Sequence, residues 1–135
     1  MAIERIISPS VAEPPAGTWS NCLRVGDMVY VAGLVASDGP SQATGDTVYA
    51  QTRVIFQRME SLLAAAGGSL RDVVKLNSFV TDITKRDEFW RARREFFAGA
   101  FPVSTLVEVS ALVDPAFLIE IEAVAVLNHG GRPAL

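Results

Sequence analysis

The chain has 135 residues, of which 50% are hydrophobic, and a formal net charge of −3. This length and apolar content predict one globular domain over residues 1–135. We expect no nucleic acid partner, because binding to phosphates needs a concentrated basic surface. The single cysteine and single histidine exclude a disulfide, a cysteine-based zinc site and a multi-histidine metal site within one chain. No apolar run reaches the roughly 18 residues of a membrane span, and the N-terminus lacks a signal-peptide pattern, so a cytoplasmic protein is expected.

The first half of the chain is predicted to contain three strands and a helix. Strands are expected at 3–7, 19–25 and 28–33, with a glycine-acid hairpin turn between the last two. Residues 46–66 carry apolar side chains close to helical spacing. Asp46 is the expected N-cap of this helix, and the glycine pair that follows residue 66 is its expected stop.

The second half is predicted to contain strands at 73–80, 103–109 and 118–126 and a helix at 84–98. This order of elements predicts an α+β fold in which two helices pack on one face of a mostly antiparallel sheet. Several strands are apolar on both faces, which would leave a hydrophobic patch exposed in a monomer. The sequence therefore predicts a homo-oligomer.

The last predicted strand contains two carboxylates in an apolar run. Glu120 and Glu122 stand two residues apart, so both lie on one face of the strand. An ionised carboxylate among apolar neighbours carries a desolvation cost, which can raise its pKa and suit it to general acid/base chemistry. The alternative for Glu120 is a structural role at a subunit interface, where backbone N–H groups or an arginine of the next subunit would hold its carboxylate. For Glu122 and Glu108, a structural role is favoured, in which each carboxylate forms an ion pair with an arginine or lysine across the sheet.

Three other features have structural interpretations. Arg91, Arg93 and Arg94 crowd the second predicted helix among acidic residues, a pattern typical of a solvated helix face. Cys22 lies in an apolar strand and is predicted to be a small core residue rather than a reactive thiol. His129 lies in a glycine-containing tail and is predicted to be solvated rather than catalytic.

Six sequence blocks, in one order, resemble the YjgF/Rid family of reactive-intermediate (enamine/imine) deaminases. The resemblance covers nearly the whole chain, from about residue 19 to residue 126. The matching blocks are residues 26–33 (GDMVYVAG), 65–75 (AAGGSLRDVVK), 79–82 (FVTD), 101–102 (FP), 107–109 (VEV) and 119–125 (IEIEAVA).

The resemblance implies a chorismate-mutase-like (YjgF-like) fold, a homotrimer and ligand clefts at the subunit interfaces. The best-known members hydrolyse 2-aminoacrylate and related enamines or imines to keto acids and ammonia without a cofactor. In them an arginine after the Phe-Pro block clamps the substrate carboxylate, and a glutamate at the start of the Glu-Ile-Glu block positions the water. The second role falls on Glu120, which this chain retains.

The chain departs from the family pattern at the predicted cleft and resembles a branch that lacks the arginine. Ser104 stands in place of the arginine, and tryptophan, alanine and leucine replace polar residues, which favours a bulkier, more apolar or conjugated ligand over 2-aminoacrylate. Trp19 and Trp90 fit a subunit interface equally well. The predicted substrate-binding residues are Trp19, Ala32, Gly33, Leu34, Trp90, Ser104, Thr105 and Leu106.

Three functions are compatible with these residues. The first is cofactor-independent hydrolysis or tautomerisation of an enamine or imine, with Glu120 directing water, and the retained glutamate favours it. The second is a trimeric protein that binds a small metabolite without chemistry, which the missing arginine favours. The third is a ribonuclease role, which the acidic charge and the absence of interleaved aromatic and basic residues disfavour.

Overall fold

The structure is a computed structural model that describes residues 1–37, 43–99 and 101–131. The order of strands and helices predicted from the sequence is confirmed. The elements are β1 (Ile3–Arg5), β2 (Cys22–Val25), β3 (Met28–Leu34), α1 (Val48–Ala66), β4 (Val73–Val80), α2 (Arg86–Phe96), β5 (Val103–Glu108) and β6 (Ile119–Val126). Short 3-10 turns, Leu70–Asp72 and Ile83–Lys85, precede β4 and α2.

The six strands form one sheet in the order β1-β2-β3-β6-β4-β5. All neighbouring strands are antiparallel except β4 and β5, which run parallel. Side chains of both helices join those of β3, β4 and β6 in one hydrophobic core, so the helices cover one face of the sheet. The predicted α+β class, with two helices on a mostly antiparallel sheet, is confirmed.

Helix α1 begins one residue later than the sequence indicates. Thr47 is its N-cap, and the Oγ1 of Thr47 accepts a hydrogen bond of 3.0 Å from the backbone N–H of Ala50. The prediction of Asp46 as the cap is therefore wrong. The predicted stop is correct, because Gly67 adopts a left-handed conformation with φ 97° that residues with a Cβ rarely take.

Helix α2 is shorter at both ends than predicted. The Oδ1 of Asp82 accepts a hydrogen bond of 3.0 Å from the N–H of Thr84, which caps a 3-10 turn where the helix was expected to start. At the other end Phe97 is extended. The ring of Phe56 from α1 lies edge-on to Phe97, with centroids 5.2 Å apart, and this contact joins α1 to the segment after α2.

Residues of β6 alternate strictly between the two faces of the sheet. Ile119 and Ile121 are fully buried beneath the helices, while Glu120 and Glu122 point to the other face. We call this second face, which no helix of the described residues covers, the open face. It is identified by residues Tyr30, Asn77, Phe79, Glu120, Glu122 and Val124.

A β-bulge in β3 shifts the alternation of that strand. Val31 pairs with Ala123 and Leu34 with Ile121, so two residues of β3 stand opposite Glu122. Gly33 lies on the open face as a result, and Leu34 turns into the core, where it is buried. In the described part of the chain, no helix is long and apolar enough to cross a membrane.

Candidate active site

Glu120 is a half-buried carboxylate on the open face, opposite Phe79 of β4. Its side chain makes no hydrogen bond or ion pair with any residue that the structure describes. Burial raises the pKa of Glu120 above its ordinary value, and the charge of neighbouring Glu122 raises it further. A carboxyl group of this kind can exchange protons nearer neutral pH than an exposed one.

Gly33 provides the space that the carboxyl group of Glu120 occupies. A Cβ added to residue 33 would stand only 2.8 Å from the Cδ of Glu120 and closer still to its Oε2. A methyl group at that distance would force the carboxyl group to move. Glycine at position 33 therefore permits the observed position of the Glu120 carboxyl group.

A depression of about 340 Å³ lies on the open face beside Glu122, and Glu120 is not among its lining residues. Glu122 faces it and accepts a hydrogen bond of 3.3 Å from the Nδ2 of Asn77. Ala32 is the one predicted binding residue among those that line it. The lining residues are Ser20, Leu23, Tyr30, Val31, Ala32, Lys75, Asn77, Glu122, Ala123 and Val124.

The ion pairs predicted for Glu122 and Glu108 are not found among the described residues. Glu122 interacts with the amide of Asn77, and Glu108 accepts a hydrogen bond of 3.0 Å from the backbone N–H of Ile83. The 3-10 turn before α2 brings that N–H to the end of β5. A neutral amide and a backbone donor thus take the place of the expected cations.

A second group of predicted residues lies on the opposite face of the sheet, at β5. Ser104 pairs with the fully buried Leu76, so its side chain points to the helix side. Leu106 pairs with Ser78 and points the same way. Trp90 is exposed on α2, which lies next to this edge of the sheet. We call Trp90, Arg93, Ser104 and Leu106 the β5 group.

Arg93 is the member of the β5 group that the sequence analysis missed. Its Nη1 donates a hydrogen bond of 2.8 Å to the Oγ of Ser104. The guanidinium also lies over the ring of Phe89, 5.2 Å from its centroid. The sequence spacing could have indicated this position, because Arg93 follows Phe89 by four residues and therefore lies on the same, buried face of the helix.

The structure does not bring all predicted site residues together within one chain. Trp19 is 57% exposed, and its Nε1 donates a hydrogen bond of 3.3 Å to the Oδ1 of Asn21. Thr105 pairs with Asn77 and lies exposed on the open face. Leu34 is buried in the core and is not among the residues that line the depression. Glu120 and the β5 group lie on opposite faces of the sheet.

The remaining reactive groups have structural roles. Cys22 is buried as predicted, and burial raises the pKa of its thiol to about 11. His129 lies 2.8 Å from the Oδ1 of Asp72, whose other oxygen caps the 3-10 turn at Ser69. Across the described segments, no three His, Cys, Asp or Glu side chains are close enough to hold a metal ion.

Comparisons with known proteins agree on one family. Residues 10–127 match the model of the family described as Endoribonuclease L-PSP. A RutC family protein from Pyrococcus horikoshii is 32% identical over 127 residues, covering 91% of this chain and 98% of that protein. A 2-iminobutanoate/2-iminopropanoate deaminase from Dermatophagoides farinae is 29% identical, covering 95% and 100%. A crystal structure of a Pseudomonas aeruginosa protein superposes with a TM-score of 0.84 at 41% identity, covering 94% of each chain.

Proposed function

Because the chain belongs to the Endoribonuclease L-PSP family, which is the YjgF/RutC/Rid family, we propose that it deaminates an enamine or imine of a small metabolite without a cofactor. The observation that carries the proposal is Glu120, a half-buried carboxyl group with a raised pKa that lies against Gly33 and has no hydrogen-bond or ion-pair partner in the described part of the chain. The relative from Dermatophagoides farinae, named as an imine deaminase, supports the same class of reaction.

Glu120 supplies proton transfer in this reaction. Its carboxylate accepts a proton from a water molecule, whose oxygen attacks the imine carbon and forms a tetrahedral carbinolamine. The carboxyl group then returns that proton to the nitrogen, which gives a neutral carbinolamine, and the regenerated carboxylate moves the proton of the carbinolamine hydroxyl to the same nitrogen. As the carbon–nitrogen bond breaks, the oxygen electron pair forms the carbonyl and ammonia leaves, with Glu120 again ionised. For an enamine, the protonated carboxyl group first delivers a proton to carbon, and the resulting carboxylate takes a proton from the nitrogen, which gives the imine. Its raised pKa suits it to both directions of transfer.

The site is proposed to be complete only in a homotrimer. Glu120 and the β5 group lie on opposite faces of one chain, so a cleft that uses both requires a second subunit to place its β5 group against the open face. Exposed apolar side chains support such an interface. Tyr30 on the open face is 47% exposed, and Val103 and Val107 on β5 are 67% and 43% exposed.

The proposed substrate is larger and more apolar than 2-aminoacrylate. Trp19, Trp90 and Leu106 offer mainly apolar surface, and aromatic side chains favour flat or conjugated ligands. Ser104 cannot form the two-pronged charged contact that an arginine at the same position would make with the carboxylate of a small 2-imino acid. A ring-cleavage product such as a 2-aminomuconate-like enamine has the required character.

A second candidate function, metabolite binding without turnover, is favoured by Ser104 at the position of the family arginine. An assay of ammonia release separates the two. Enamines and imines are generated in situ by an amino-acid lyase, and ammonia release is followed with and without the protein. Acceleration of ammonia release is expected for at least one conjugated substrate. Saturable binding of these compounds without any acceleration would overturn the enzymatic proposal and favour the binding protein.

A further inference from the structure

Arg93 forms no ion pair with any acidic residue that the structure describes. Its Nε is fully buried and has no hydrogen-bond partner among the described residues. Arg94, the charged residue that shifts the pKa of Arg93, has the same sign. Burial lowers the pKa of the Arg93 guanidinium, and the charge of Arg94 lowers it further. A half-buried charge without a counter-charge costs folding free energy, and proteins accept such costs mainly at functional sites.

The other arginines of this region differ from Arg93. Arg53 forms an ion pair with Glu95. Arg91 lies over the ring of Tyr49, 3.8 Å from its centroid. The hydrogen bond from the Tyr49 hydroxyl, then Arg53 and last the charge of Arg91 hold the pKa of Glu95 below the ordinary range. The interpretation of a solvated, mixed-charge face therefore holds for Arg91 and is wrong for Arg93.

The surroundings of Arg93 fit a carboxylate. The hydroxyl of Ser104 accepts its hydrogen bond from Nη1 of Arg93, so its own proton is free to be donated to an anion beside the guanidinium. Guanidinium groups match the geometry of a carboxylate with two parallel N–H donors. Trp90, one helical turn before Arg93, and Leu106, two residues after Ser104 on the same side of β5, add apolar contact area for the rest of a ligand.

We propose that Arg93, assisted by the Ser104 hydroxyl, binds the carboxylate of the substrate in the β5 group. This inference rests on the proposed function and narrows it to enamines or imines that carry a carboxylate and an apolar or conjugated part. A carboxylate side chain of a neighbouring subunit is the alternative anion for Arg93. Variants of Arg93 distinguish this interface contact from binding of the substrate carboxylate. Arg93 in this role is a substrate-binding residue, while Glu120 performs the chemistry.

Calorimetric titration with benzoate and with neutral benzamide tests the proposal on the whole protein. The two probes have nearly the same shape, and only benzoate has the charge that Arg93 would recognise. Arg93→Gln is expected to weaken benzoate binding about 10- to 100-fold and to leave benzamide binding unchanged. The matched control is Arg94→Gln, which removes the same charge at the adjacent exposed position and should bind benzoate as the wild type does. Equal benzoate affinities of the wild type and Arg93→Gln, or no preference of the wild type for benzoate, would overturn the proposal.

Arg93→Lys keeps the inference testable if Arg93→Gln does not assemble or fold. Lysine retains the charge that a carboxylate of a neighbouring subunit would need, but it loses the planar fork. We expect Arg93→Lys to assemble normally and to bind benzoate several-fold more weakly. Wild-type benzoate affinity in Arg93→Lys, together with dissociation of Arg93→Gln in sedimentation, would assign Arg93 to the interface and overturn the proposal.

Failure of this inference is distinguishable from failure of the proposed function. Benzoate binding needs no turnover, so binding that depends on Arg93 supports the inference even when no ammonia is released. Ammonia release by Arg93→Gln with unchanged KM and kcat would overturn the inference about Arg93 but would still support the proposed deaminase function.

Discussion

Gly33 lies against the carboxyl group of Glu120, and a Cβ on residue 33 would approach the Cδ of that group to 2.8 Å. The bulge in β3 creates this contact by turning Gly33 to the open face opposite Glu122. The position of the proposed general acid/base is therefore set by the absence of a side chain on the neighbouring strand.

Gly33→Ala is expected to displace the Glu120 carboxyl group and to lower turnover about 10-fold or more, because proton transfer depends on hydrogen-bond distance. Backbone strain does not contribute, since Gly33 has no positive φ. The matched control is Gly130→Ala, where the added methyl group meets nothing within 4 Å. Steady-state assays of ammonia release check the prediction, and equal activity of the two variants would contradict it.

The free energy of unfolding should depend on pH in the way that the raised pKa of Glu120 implies. Between the ordinary carboxyl pKa and the raised value, the folded chain binds more protons than the unfolded chain, so the Glu120 contribution to stability falls as pH rises through this window. Because glutamine does not ionise, Glu120→Gln removes this loss of stability at high pH. Its melting temperature should exceed that of the wild type at about pH 8, and the difference should shrink near pH 4. A lower melting temperature of Glu120→Gln at pH 8 would show that the charge is stabilised in the folded protein.

Cys22 should be inert in the native protein. It is 1% exposed, and burial raises its pKa to about 11, so almost no thiolate is present at pH 8. A colorimetric thiol reagent should react with it slowly in native buffer and completely in denaturant. Rapid modification of the native protein would show that the strand β2 opens far more often than its buried position implies.

The proposed homotrimer predicts that a charge on β5 prevents assembly. Val107 is 43% exposed in the single chain and points to the same face as Phe79. Val107→Lys should convert the trimer to smaller species in sedimentation equilibrium, because a buried unpaired charge is costly at an interface. Val113→Lys, at a loop position that is 85% exposed, is the matched control. A wild-type protein that sediments as a monomer at micromolar concentration would contradict the trimer itself.

Regular patterns in the sequence were sufficient to predict much of this fold. Strand β4 has the predicted bounds, and the alternation of β6 correctly places Glu120 and Glu122 on one face. Leu34 could not be placed this way, because a bulge breaks the period of two and turns the next residue to the opposite face. The sequence of β3 alone does not indicate the bulge, which is defined only by the register in which β3 pairs with β6.

The candidate site was less predictable than the fold. Charge patterning treats the arginines of α2 alike, although Arg93 alone donates to Ser104 while Arg91 lies over Tyr49. The difference comes from the placement of β5 beside α2, which is a tertiary contact. Glu120 was found because a carboxylate in an apolar strand has a local energetic cost that the sequence itself displays.

Turnover by Glu120→Gln tests the central claim most directly. Glutamine keeps the shape of the side chain and most of its hydrogen bonding but cannot exchange the proton, whereas Glu60→Gln, the matched control, changes an exposed carboxylate of α1 on the other side of the sheet. The account predicts that Glu120→Gln assembles like the wild type and releases ammonia about 10²-fold more slowly or worse, while Glu60→Gln retains its activity. Wild-type turnover by Glu120→Gln in an intact assembly would contradict the assignment of Glu120 as the catalytic group.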